Sequence, residues 1–480
     1  MAAIAKDLGQ RVAVATLFQH QTLEDFAAAV RGQPLSAVEP LRRAVADPSR
    51  VSDEPAPLSF AQRRLWFLAQ LEPAGTSYNI VEGIRLRGPA DQPFDAATLH
   101  HCVRALVQRH EVLRATFFFK DGEPWQRIAP TLDPPVSTID LRHLDPQARE
   151  AEAQRLATLE AKTPFDLEAG PLLRVRFVLM ADSELALIFA VHHIVFDGWS
   201  LRIVLDEMAE IYEATLTGRP SALPPLPLQY TDYARWQRQE LTGPKLEQML
   251  AYWRQTLGSD VPVLELPQDH PRAALHQRRG ARESFALPKD LSLALTAFAR
   301  EHNVTMFMVL LAAFQVLLAK HSGQDQFTIG TPVATRAHED LEKLVGLFVN
   351  TLVLRADLSG DPTFLEILHR ARERALDAFA HQEMPFEKLV EELAPSRSLT
   401  HSPLFQVMLS VQMVTASASA SDERYSQGDG VHARSETTHF DLSLGMEDKD
   451  GWCGSFEYDA TLFDANTIHR LIRHFEILLY

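Results

Sequence analysis

Apolar positions along the chain recur with two periods, and the alternation between them sets the expected layout. Phe60, Leu65, Leu68 and Leu71 fall broadly on one side of a helix from Phe60 to Leu71, and His100 to Val112 reads as a second helix. Leu201, Val204, Leu205, Met208, Ile211 and Tyr212 lie at offsets 0, 3, 4, 7, 10 and 11, which is one face of an α-helix that Ser200 is expected to cap. Leu291 to His302 and Thr305 to His321 are further helices, the second apolar almost throughout and so expected inside a core. Pro362 to Gln382 is another. Extended runs are predicted at Ala115 to Phe119, Leu173 to Met180, Phe327 to Gly330, Thr351 to Ala356 and Phe405 to Met413. Leu185 to Phe196 reads as a strand with almost no polar residue except a histidine pair, and Asp450-Gly451 between two extended stretches predicts a hairpin.

Punctuation between these segments suggests two α/β lobes. Val12 to Phe18 and Thr22 to Val30 read as short helices, with Thr22 a candidate N-cap and Asp25 in the first turn. A polar, proline-containing linker follows from Gln33 to about Pro57, and a proline-rich crossing runs from Pro220 to Pro227. Residues 414–436, rich in Ser, Ala, Asp and Gly, read as a mobile loop. At 480 residues the chain is longer than one hydrophobic core usually serves. Lobes of roughly 180 to 240 residues joined near Pro220 to Gln237 are expected.

Composition narrows the class of function. With 63 acidic against 47 basic residues the formal charge is −16, a surface that repels phosphate backbones, and no basic run carries interleaved aromatics. Nucleic acid is therefore an unfavourable partner. The two cysteines, Cys102 and Cys453, are far apart and form no CxxC, so neither a disulfide framework nor a structural zinc site is expected. The start, MAAIAKDLGQ, lacks the apolar core of a signal peptide, and no apolar stretch has the roughly 18 to 20 residues a bilayer span needs. A cytoplasmic protein without membrane partners is the expectation.

The strongest chemical signal is Val191-His192-His193-Ile194-Val195-Phe196-Asp197-Gly198-Trp199-Ser200. Neighbouring residues on a strand point to opposite faces, so His192 and His193 are badly placed to share a metal, and no further ligands stand at chelating spacing. Two readings stay open from this stretch alone. Both histidines are satisfied core residues beside a turn, or one faces a cleft while Asp197 orients a ring or pairs with an arginine. No GxSxG elbow is present, which disfavours a nucleophilic serine.

His192 to Ser200 resembles the HHxxxDG signature of nonribosomal peptide synthetase condensation domains, a family related in fold to chloramphenicol acetyltransferase. Other motifs of that family follow in order. Ser59 to Leu68 (SFAQRRLWFL) resembles the first, and Arg109 to Phe117 (RHEVLRATF) the second, with Ala115 where threonine is commoner. Tyr230 to Gln237 (YTDYARWQ) comes after the histidine motif. It is followed by Ile329 to Arg336 (IGTPVATR), which continues to Gly346–Thr351 (GLFVNT), by His381 to Phe386 (HQEMPF), and by Ser402 to Gln406 (SPLFQ). The resemblance covers about residue 57 to 480. Residues 1–32 resemble the C-terminal helices of a carrier domain, without the serine-bearing stretch that would hold a phosphopantetheine; an unrelated helical leader is the alternative.

The resemblance implies an α/β (α+β) fold of two chloramphenicol acetyltransferase-like lobes, 57–230 and 231–480, forming a V with a central tunnel, behind a linker at 33–56. It implies amide formation between a donor thioester and an acceptor α-amine held on separate carrier domains. The 4′-phosphopantetheine arms belong to those carriers, no cofactor or metal is bound directly, and an adenylation domain is expected downstream. His193 is the implied catalytic residue. His192, Asp197, Gly198, Arg114 and Arg336 are supporting, Arg114 being the first choice to pair with Asp197 and Arg336 the reserve. Gly198 is expected to supply a positive φ or a close backbone approach. Trp199, Ser200, Asn350 and Thr351 are candidates for the tunnel wall. The absence of a DxxxxD pattern argues against the cyclisation subtype and the Gly-Trp-Ser continuation against the epimerisation subtype, so an L-donor, L-acceptor subtype is expected. The competing readings are a noncatalytic domain of the same shape that recruits partners, and a free-standing acyltransferase using coenzyme A.

Overall fold

A computed structural model describes residues 16, 23–32, 54–88, 93–258, 260–272, 278–336, 338–393, 402–413, 425–426, 431, 437–449 and 451–480. Each core has a sheet, and helices cover it. The first sheet has five strands in the order Tyr425–Ser426, Asn79–Arg87, Glu184–His192, Leu173–Ala181 and Val136–Asp140. The second has six, in the order Val349–Asp357, Gln326–Ala334, Val407–Met413, Leu442–Asp448, Trp452–Asp459 and Gly280–Ala286. A small third sheet joins Ala56–Pro57, Glu123–Ile128 and Ala115–Lys120.

The two large sheets anchor separate apolar clusters. Leu185, Leu187, Phe189 and Val191 project from the Glu184–His192 strand into the first, where the Ala96–Arg109 and Gly198–Thr217 helices meet them. The second cluster surrounds the Met306–Ser322 helix, which is buried on nearly every face, as its continuous apolar run predicts. Thr305 caps that helix by accepting the Met308 N–H at 3.3 Å, and Gly323 ends it in the left-handed region at φ 72°. Among the described residues no single helix is long and apolar enough to cross a membrane. The two clusters do not divide the chain at one point. Leu341, Leu344, Val345, Leu347 and Phe348 pack into the first cluster, Phe60 packs into the second, and the Tyr425–Ser426 strand joins the first sheet beside Leu86 and Arg85.

Several element boundaries differ from expectation. The helix expected over His100 to Val112 is Ala96–Arg109, because Asp95 caps it earlier through the Thr98 N–H at 2.7 Å. The strand expected to reach Phe196 stops at His192. There the His192 ring accepts the Ile194 N–H at 3.1 Å and turns the chain into a short 3₁₀ turn, His193–Val195. The strands expected on either side of Asp450-Gly451 pair antiparallel, Asp448 with Trp452, and Gly451 has φ 135°; Asp450 itself lies outside the described residues. The Leu23–Gly32 helix matches the one expected from Thr22; Thr22 itself, most of the Val12 to Phe18 helix and most of 414–436 lie outside the described residues.

Gly330, in the Gln326–Ala334 strand, lies under the buried ring of Phe405, and a β-carbon there would meet that ring at 2.3 Å. Gly330→Ala is expected to lower stability by about 1–3 kcal/mol through overpacking, read from the shift in a urea unfolding midpoint.

Candidate active site

Asp197 is completely buried and accepts five hydrogen bonds beside the histidine turn. Its Oδ1 accepts the Ser200 N–H at 2.9 Å and the Ser200 hydroxyl at 2.7 Å, and so caps the Gly198–Thr217 helix. Its Oδ2 accepts the Phe348 N–H at 3.0 Å. Arg336 grips both oxygens, with Nη1 at 2.8 Å and Nη2 at 3.1 Å, and its guanidinium lies 4.2 Å over the Phe348 ring. Ser200 extends the network to Gly346, its hydroxyl oxygen accepting the Gly346 N–H and lying beside the Gly346 carbonyl, both at 3.1 Å. One carboxylate thus ties the turn after His193 to the segment from Arg336 to Phe348.

The same segment is held from a third side. The Tyr230 hydroxyl donates to the Leu347 carbonyl at 2.7 Å and lies 2.9 Å from the Ser59 hydroxyl. Burial drives the Tyr230 pKa well above its ordinary value, so the phenol stays a donor. Ser59 and Gln62 form a capping box on the Phe60–Leu71 helix, and Gln62 also donates to the Ile194 carbonyl at 3.1 Å, inside the histidine turn. The first, third, fourth and fifth sequence motifs therefore meet around one turn.

His193 begins that turn and is half-buried. Its N–H donates to the Tyr78 carbonyl at 2.9 Å, and its Nδ1 stands 2.6 Å from the Phe196 carbonyl. A carbonyl only accepts, so Nδ1 carries the proton and the neutral ring keeps its lone pair on Nε2. His192 is buried, edge-on to Phe165 at 6.2 Å, and burial, with His193 adding to it, pushes its pKa down to about 3. Around Tyr78 stand His439, stacked on its ring at 4.6 Å, and Arg64, which lies 3.9 Å from Glu387. Burial raises the pKa of both Tyr78 and Glu387. Among the described residues no group of three or more His, Cys, Asp or Glu side chains is arranged to hold a metal.

The family model for the condensation domain matches residues 52–480. The chain belongs to the condensation-domain family. It is 40% identical to malpinin synthetase of Mortierella alpina over 98% of its own length, covering 6% of that protein. It is 41% identical to phosphinothricin tripeptide synthetase PhsC of Streptomyces viridochromogenes over 88% of its length, covering 39% of that protein. The chain thus spans a minor part of these relatives. Among solved structures, the X-domain from teicoplanin biosynthesis superposes with a TM-score of 0.78 at 26% identity, over 92% of this chain and 97% of that one. The mixed α/β architecture is that of condensation domains, related to chloramphenicol acetyltransferase, and such domains are amide-bond-forming acyltransferases of peptide synthetases.

Within this condensation domain, four expectations about individual residues need correction. Arg114 does not pair with Asp197. Its guanidinium caps the carbonyl end of the Ala96–Arg109 helix at Val107 (3.0 Å) and Gln108 (3.2 Å), and also holds the Ala129 and Pro130 carbonyls, while Arg336 is the partner of Asp197. The helix cap is Asp197, not Ser200, which occupies the third helical position. Ser200 is also completely buried in the Gly346 network, so it is no wall residue of a tunnel. Gly198 is not among the positive-φ glycines, and a β-carbon there would meet nothing within 4 Å, so the glycine leaves open space rather than relieving strain. Trp199 is half-exposed, its indole N–H donating to the Glu342 carbonyl at 3.0 Å. Asn350 donates to the carbonyls of Gln382 (2.9 Å) and Met384 (2.7 Å), accepts the Phe386 N–H (3.0 Å), and borders a cavity with Tyr233, Trp236 and Glu383. Thr351 pairs with Pro332 across the sheet. Tyr78, Glu387 and His439 are functional candidates that sequence reasoning does not reach. Only a lone His-Phe-Asp before a predicted strand marks His439.

Removing one partner of a buried ion pair leaves an uncompensated charge. Arg336→Leu is therefore expected to cost about 3–5 kcal/mol, whereas the double variant Asp197→Leu/Arg336→Leu costs less than the sum of the single changes, measured by a urea unfolding cycle. His192 gives a pH signature. Its folded pKa is depressed, so the unfolded chain takes up the proton first as pH falls below 6.5. Stability from this site is complete above 6.5 and is lost toward 3, at about 1.4 kcal/mol per pH unit. His192→Asn, which keeps an acceptor for the Ile194 N–H and cannot be protonated, is expected to flatten that slope between pH 6 and 4.

Proposed function

We propose that this domain joins a donor acyl or peptidyl thioester to the α-amine of an acceptor aminoacyl thioester, each presented on the 4′-phosphopantetheine arm of a carrier domain, with His193 as the general base. The observation that carries the assignment is the His193 Nδ1–H bond to the Phe196 carbonyl, which leaves Nε2 as the basic nitrogen on a half-buried ring. The acceptor nitrogen attacks the donor carbonyl and a C–N bond forms. The amine proton passes to Nε2, the C–S bond breaks, and the donor's thiolate takes up a proton as it leaves.

Magnitudes rank the contributions. A free α-amine has a pKa near 7.7–8.0, so deprotonating it at pH 7 costs only about 1 kcal/mol. A positioned base typically gives about 10²- to 10⁴-fold. Aligning two tethered reactants is worth roughly 7–11 kcal/mol, so positioning is the larger share and the base the smaller. The first turn of the Gly198–Thr217 helix, at the positive end of its dipole, is the candidate stabiliser of the developing oxyanion.

Two lobes in a V around a tunnel, an L-donor and L-acceptor preference, a downstream adenylation domain and a cytoplasmic site of action belong to the same reading. A carrier-like origin for residues 1–32 is supported by the match to malpinin synthetase, which covers 98% of the chain and so begins ahead of the family match at residue 52. A noncatalytic recruiting domain and a coenzyme A acyltransferase are not favoured, since the histidine pair, the Asp-Gly turn and the late motifs are all intact.

Two separately loaded carrier proteins, mixed with the domain and followed by intact-protein mass spectrometry, test the role. The wild type is expected to accumulate a dipeptidyl group on the acceptor carrier, and His193→Ala to lose about 10²- to 10⁴-fold in rate. Equal rates for the two proteins across pH 6 to 9 would remove His193 as the base.

A further inference from the structure

We propose that His439 is a positioning residue for His193, reaching across from the second sheet and acting through Tyr78; the inference rests on His193 as the base. His439 lies just ahead of the Leu442–Asp448 strand, in a segment pinned by its own neighbours. The Arg278 guanidinium donates to the His439 carbonyl, Asp441 takes an ion pair from Arg272, and the Asp441 N–H donates to Gln406 at 3.1 Å. From this anchored backbone the imidazole crosses to the start of the Asn79–Arg87 strand, which belongs to the first sheet. There it stacks on Tyr78 with ring centroids 4.6 Å apart and 24° between planes.

Tyr78 is the link to the chemistry. Its carbonyl accepts the His193 N–H at 2.9 Å, and its ring lies 6.5 Å from that of His192. Moving Tyr78 therefore moves the backbone contact that the His193 N–H makes at the start of its turn. The Asp197 clasp holds that turn from its far end, after Phe196, and the His439 stack holds it from the near end. The two anchors come from different segments of the second half of the chain, so the base is aimed only when both are seated.

The charge state of His439 suits this place. It shares the space with Arg64 of the Phe60–Leu71 helix, His193 of the turn and Arg278 ahead of the Gly280–Ala286 strand, with Tyr78 against its face. Burial, and after it the Arg64 guanidinium, push its pKa down to about 4, so at neutral pH it is uncharged. It adds no positive charge beside a ring that becomes cationic when it accepts a proton.

The test uses the whole domain as wild type, His439→Ala and His439→Phe. Phenylalanine keeps the stacked ring and removes the imidazole nitrogens. Thermal midpoints, turnover at saturating loaded carriers, and the ¹⁵N signature of the His193 tautomer are measured for each. In His439→Ala, turnover is expected to fall about ten- to a hundredfold with the KM for either carrier little changed. The His193 spectrum is expected to lose the single Nδ1–H tautomer of the wild type, and His439→Phe to recover most of both readouts. Unchanged turnover and an unchanged His193 spectrum in His439→Ala would overturn the proposal. So would equal losses in Ala and Phe that simply follow a drop in thermal midpoint. Should the wild type itself form no dipeptide, the proposed function fails, while the His193 spectra still decide whether His439 positions that ring.

Discussion

The carboxylate of Asp197, buried without access to water, is the constraint on which the rest of the site depends. Such a group is tolerable only if every lone pair is matched, and here the matching partners are Arg336, Ser200 and the Phe348 N–H. The need to satisfy one charge thus brings a helix start, a segment 139 residues further on and the histidine turn into fixed register. Arg336 suits the task because its planar fork meets both oxygens at once, and lysine offers no such geometry. Tyr230, Ser59 and Gln62 then lock the outside of the same assembly.

What this rigidity supplies is aim. In the proposed reaction, an amine attacking a thioester needs little help with its proton and much help with its approach, so a base held in one tautomer at one place matters more than a strong base. Phe196 sets the tautomer and Asp197, the next residue, sets the position, so both demands are met within a span of five residues from His193. The neighbouring imidazoles of His192 and His439 are held neutral by burial, which leaves His193 without a charged histidine beside it. The same burial that keeps His192 silent makes the fold sensitive to acid.

Much of this was legible in the chain because it is local. The apolar helix expected over Thr305 to His321, found as Met306–Ser322, and the antiparallel strands on either side of Asp450-Gly451 are decided by near neighbours, and both formed where expected. The order of motifs likewise carried the family. What was not legible is pairing across distance. Arg114 and Arg336 are both arginines near motif ends, and nothing in either local stretch says that one will cap helix carbonyls while the other crosses to Asp197. Ser200 and Asp197 both suit a helix cap, and the choice fell to Asp197 because the strand ended early, at the His192 side-chain turn. Tyr78 and His439 meet only because two sheets are brought together, so neither stood out along the chain.

Whether the Asp197 clasp aims His193 is tested by single-turnover dipeptide formation by an Arg336→Lys variant, with carrier binding measured separately on the same protein. Lysine keeps the charge that Asp197 needs and removes the two-point grip. A folded protein that binds both carriers as before and forms product about a hundredfold more slowly is expected, because the turn bearing His193 is no longer held in place. An undiminished rate in a folded variant would contradict this expectation, and would mean that the buried clasp serves the fold alone.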